Sequence, residues 1–106
     1  MFGLGKKNAL IDARATSIAT QFAERFPPAI EGDPTRKKVQ EKLAKALDFA
    51  RTQALAFQRE EGLGVYGKAR FFAALKSDLR QAGYSDVFVE STVSSLVTYV
   101  GNQGRR

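Results

Sequence analysis

The chain contains no cysteine, no histidine, no tryptophan and a single methionine. Without thiols it has neither a disulfide framework nor a thiolate nucleophile. Without imidazole it has no zinc-finger ligand pattern and no base for a serine–histidine–aspartate triad. Long apolar runs are also missing, and no stretch approaches the ~20 apolar residues needed to cross a bilayer. Behind Met1–Lys7, the short run Ala9-Leu10-Ile11 is cut off by Asp12, so no secretory leader is expected there. Lacking a membrane span and disulfides, the chain is expected in the cytoplasm. Prolines number only three, while hydrophobic residues make up 43% and include eight Phe. That balance belongs to a folded globule, not to a disordered chain.

The 106 residues suffice for one domain and are too few for two ordinary ones. Seventeen Lys and Arg against eleven Asp and Glu give a net charge of +6. The excess is spread, at +1 over 1–32, +2 over 33–61 and +3 over 62–106. A surface of this kind is either simply solubilising or a working anion-binding face.

Four helices account for the apolar spacing. In the first, about 8–26, Ile11, Ala15, Ile18, Phe22 and Phe26 share one stripe, and Pro27-Pro28 stops the helix. The second, about 34–60, has Asp33 as expected N-cap and Pro34 at its first position. Val39, Leu43, Ala46, Leu47, Ala50, Ala54 and Phe57 line its inner side. The third, about 68–82, buries Phe71, Phe72, Leu75, Leu79 and Ala82, and Gly83 supplies its left-handed end with Tyr84 behind it. The fourth, about 86–100, is capped by Ser85 or Asp86. Its valines favour strand, but V-S-S-L-V-T-Y-V does not alternate, and Val89, Val93, Leu96, Val97 and Val100 fit a helical stripe. Residues 1–7 and 102–106 are expected to be flexible ends. The expectation is an all-α, compact four-helix bundle over residues 1–106, crossed or orthogonal rather than regular up-down.

Residues 62–68, Gly62-Leu63-Gly64-Val65-Tyr66-Gly67-Lys68, contain G-x-G-x-x-G and approach a phosphate-binding loop. Ala69 stands where a Mg²⁺-holding hydroxyl belongs, and a helix precedes the glycines where both nucleotide fingerprints need a strand. The pattern therefore reads as an interhelical turn, with Leu63, Val65 and Tyr66 tucked into the core. The alternative is a simple anion site made by Gly67, Lys68 and Arg70 at the start of the third helix.

On the second helix Lys38, Lys42 and Lys45 recur at spacings of four and three, opposite the apolar stripe. They make either a solvated face or a phosphate-contact surface. Phe49 and Leu55 leave that stripe and are candidate partner contacts. The segment Leu79–Ser85, with Val89 and Leu96, is similar to a helical repeat of the recombination-regulator RecX family. No carboxylate has acid/base or metal-ligand spacing, so no catalytic residue, metal or cofactor is expected. The expected function is a non-catalytic protein-interaction or regulatory module, with a protein partner and a possible homodimer. The alternative is nucleic-acid or phosphate binding through the basic helix face.

Overall fold

A computed structural model describes residues 2–33 and 36–103, the side chains of residues 2–4 excepted. The first helix, α1, runs Phe2–Arg25. It starts ahead of the apolar stripe, so residues 2–7 are helical. Lys7 ties this stretch down by donating to the Glu61 carbonyl at 3.0 Å and to its carboxylate at 3.2 Å. Ile11, Ala15, Ile18, Phe22 and Phe26 are all buried, as their spacing requires. Pro27 leaves the helix with an extended ψ of 141°, and Pro28–Ile30 form a single 3-10 turn.

The second helix, α2, spans Lys37–Glu61. Its N-cap is Arg36, not Asp33, and no side chain caps it. Asp33 instead pairs with the Arg36 guanidinium at 3.0 Å. The expected N1 residue, Pro34, lies outside the described residues. Inside α2, Val39, Ala46, Ala50, Ala54 and Phe57 are buried. Three alanines at spacings of four leave little side-chain bulk between α2 and its neighbours, so backbones can approach closely.

The third helix, α3, covers Val65–Ala82 and ends in Gly83 at φ 115°. The Gly83 amide donates to the Arg80 carbonyl and the Tyr84 amide to the Leu79 carbonyl, the paired bonds of a Schellman end. Phe71, Leu75 and Leu79 are buried, Phe72 is half-buried and Ala82 faces solvent. The fourth helix, α4, covers Asp86–Gln103. Ser85 caps it, its hydroxyl accepting the Phe88 amide at 3.2 Å. Burial of Val89, Val93, Leu96 and Val100 outweighs their strand preference. The last residues of the expected C-terminal loose end, 104–106, lie outside the described residues.

The result is an all-α four-helix bundle, with no strand among the described residues. Its closest helix pairings are α1 with α3 and with α2, and α4 with α2 and with α3. An aromatic cluster closes one end. Tyr84 stacks on Phe88 at 4.9 Å, Phe88 on Phe26 at 5.5 Å, and the buried Tyr84 hydroxyl donates to the Phe26 carbonyl. Burial pushes that phenol's pKa up. No helix of the described residues is long and apolar enough to cross a membrane.

Candidate interaction surface

The glycine-rich turn is built for packing. Gly62 ends α2 in the left-handed region, φ 57° and ψ 47°, its amide donating to the Gln58 carbonyl at 2.9 Å. Leu63 then enters the core, its carbonyl held by the Gln58 side chain at 3.0 Å. Gly64 is the N-cap of α3. Because α3 starts at Val65, Gly67 and Lys68 lie inside its first turn, and the Lys68 amide already donates to the Gly64 carbonyl at 2.9 Å. A Cβ on Gly67 would stand 3.3 Å from the Leu63 side chain and 3.7 Å from Ile11. That glycine is there for close approach of α3 to the turn and α1. The early start also turns Val65 and Tyr66 outward, at 88% and 59% exposure, contrary to the expectation that both are buried.

Arg70, expected at the anion site, grips Asp12 of α1 instead. Its Nε and Nη2 donate to the two carboxylate oxygens at 3.0 and 2.8 Å, and Nη1 reaches the Tyr66 hydroxyl at 3.4 Å. The Arg70 hydrogen bond holds the Asp12 carboxyl below the usual carboxylate range. This bidentate fork pins α3 to α1 and leaves Arg70 little charge to offer a ligand.

Lys38, Lys42 and Lys45 are exposed on α2 and make no ion pair among the described residues. Lys38 and Lys42 join Arg36 and Lys37 around a shallow groove floored by Ile30 and Val39. Lys45 lies further along the helix. At 1.5 Å per residue, this groove and the Gly67–Arg70 turn sit roughly 35 Å apart, at opposite ends of α2. The cations proposed from sequence therefore form two separate places. Phe49 is half-buried and covered, with the Arg25 guanidinium 3.8 Å from its ring centroid. Leu55 is half-buried too. Phe49 thus packs against the core and under Arg25.

Besides Leu10 of α1 and Val65 and Tyr66 of α3, the exposed large apolar side chains are on α4. Val87 and Val97 of α4 are 81% and 46% exposed. Val97, Ser94 and Thr98 face Ala69, Phe72 and Ala73 of α3 across a groove. Among the described residues, the charged ones lining it are Lys76 and Arg80, and both are paired. Lys76 meets Glu90 at 2.6 Å, and Arg80 meets Asp86 at 3.1 Å and Glu90 at 4.0 Å. The Lys76 hydrogen bond lowers the Glu90 pKa. Beyond Glu90, α4 carries no charge to its end at Gln103. The signal was visible in the sequence as that uncharged stretch. Placing Val97 in the buried stripe concealed it.

Among the described residues no group of three His, Cys, Asp or Glu could hold a metal. No protein-family model matches the chain, and no curated protein or solved structure matches it either. The likeness of Leu79–Ser85 to a RecX repeat accordingly carries no family membership.

Proposed function

We propose that the chain is a small non-catalytic protein-interaction module of the cytoplasm and that it works through the α3–α4 face. One observation carries this reading. Beyond Asp86 and Glu90, the outward side of α4 presents Ser91, Ser94, Val97, Thr98, Gly101 and Asn102, with no charge where a solvated helix face carries it. Beside it runs a groove whose cations among the described residues, Lys76 and Arg80, are paired with carboxylates. Low-charge, partly apolar patches of this kind mark contact surfaces. The test is a photo-reactive residue at position 97 or 94, compared in cells with one at position 48 on α2. Protein adducts concentrated at 97 and 94 support the reading. Equal labelling at all three positions, or none at 97 and 94, overturns it.

A second reading is supported by the lysines of α2. Lys7, Lys76, Arg14, Arg70 and Arg80 are bound to carboxylates, whereas Lys38, Lys42 and Lys45 are not. Three unpaired cations on one helix face suit a polyanion backbone, nucleic acid included. Contacts of lysine to phosphate carry no sequence information, so this binding would be sequence-independent.

A further inference from the structure

We propose that the occupant of the α3–α4 groove is a second copy of this chain, docked face to face about a two-fold axis. The inference rests on the reading of this face as the interaction surface. Its first support is electrostatic. Each copy carries +6, so most ways of bringing two copies together oppose cation to cation. Contact through α2 would bring together two sets of the unpaired Lys38, Lys42 and Lys45, offset only where Glu41 or Asp48 of one copy falls opposite them. At the α3–α4 face, Lys76 and Arg80 are matched by Glu90 and Asp86, and residues 91–103 add nothing. Two copies can therefore meet through this face without setting unpaired cations, among the described residues, against each other. An acidic foreign partner would find no unpaired cation among the described residues of this groove to receive it.

Shape supports the same occupant. A two-fold contact must be self-complementary, presenting both a ridge and a hollow. Here Val97 stands out beside a trough edged by Ala69, Ala73 and Ser94, whose short side chains let a helix come close. Size then sets the strength. Two helices of 18 residues offer a face roughly 27 Å long and 20 Å wide. Two such faces bury on the order of 1,000 Å², the floor for a specific interface. The dimer is therefore weak and concentration-dependent.

Sedimentation equilibrium of the purified full chain tests this. The mass should rise from one copy toward two between about 10 μM and about 1 mM, the span expected for micromolar-to-millimolar dissociation. Val97→Arg and, separately, Ser94→Arg should weaken dimerisation at least about tenfold while helical circular dichroism is unchanged, because each sets a cation against its own copy. Lys42→Glu should dimerise at least as well as the wild type. A wild-type chain that stays single up to about 1 mM overturns the proposal, since that limit lies beyond any specific dimer of this size. So does dimerisation that Val97→Arg and Ser94→Arg leave intact. Should the wild type stay single while cross-linkers at 97 and 94 trap a different protein, the second copy falls and the interaction face stands.

Discussion

Gly83 and Tyr84 show how single residues fix the end of the bundle. At φ 115° Gly83 occupies backbone space that a side chain strains, although a Cβ there would find Pro28 no nearer than 3.5 Å. Gly83→Ala should therefore cost roughly 1–2 kcal/mol through backbone alone, measured by urea unfolding. Gly101, helical and with open space around it, should behave oppositely, Gly101→Ala gaining up to ~1 kcal/mol. Next to Gly83, the Tyr84 hydroxyl satisfies the Phe26 carbonyl left over where Pro27 breaks α1. Tyr84→Phe keeps the ring stack and orphans that carbonyl, for a loss of about 1–2 kcal/mol. The Gly83-Tyr84 pair was legible beforehand because a Schellman end has a local signature. The Tyr84 hydrogen bond was not, because its acceptor is 58 residues away.

Helix existence was legible from apolar spacing, and helix starts were not. Spacing reports which side of a helix is covered, while a start depends on caps that compete. Asp33 had the right chemistry for a cap, yet its carboxylate takes Arg36 and the helix begins after that residue. In α3 the last glycine of G-x-G-x-x-G looked like the boundary, whereas Gly64 is the cap and Gly67 is already helical. That shift explains why Val65 and Tyr66 were misplaced. Cross-helix charge pairs were invisible for a different reason, since sequence does not say which helices are neighbours. Asp12–Arg70 and Lys76–Glu90 are two such ties, and both carboxyls are held below their ordinary values of 3.8 and 4.5. A depressed folded pKa gives stability that is present above the unfolded value and fades as pH falls through the folded one. Melting temperature should accordingly drop on acidification below about pH 4. Asp12→Asn should flatten that drop and lie below the wild type near neutral pH. An identical acid limb for the two proteins would refute the role given to this pair.

Over the described surface the cations are unevenly matched, Lys38, Lys42 and Lys45 of α2 making no ion pair while Lys76 and Arg80 on the α3–α4 face do. That division could not be read from net charge, which counts Arg70 and Lys42 alike although one is clamped and the other free. Nor could it be read from valine content, because α4 has more valines than the core covers, and Val87 and Val97 are left outside. If the α2 lysines do engage polyanions, position should matter as well as total charge. Reversing Lys42 and Lys45 to Glu takes four units from +6, and so does reversing Lys6 and Arg59, two exposed cations without an ion pair among the described residues. Equal charge loss makes the second variant the control. On immobilised DNA the first variant should elute at clearly lower salt than the second. Wild-type binding should fall with salt at a log–log slope of roughly −3, as three phosphate contacts require. Indistinguishable elution of the two variants would reduce the α2 face to a diffuse effect of the total charge.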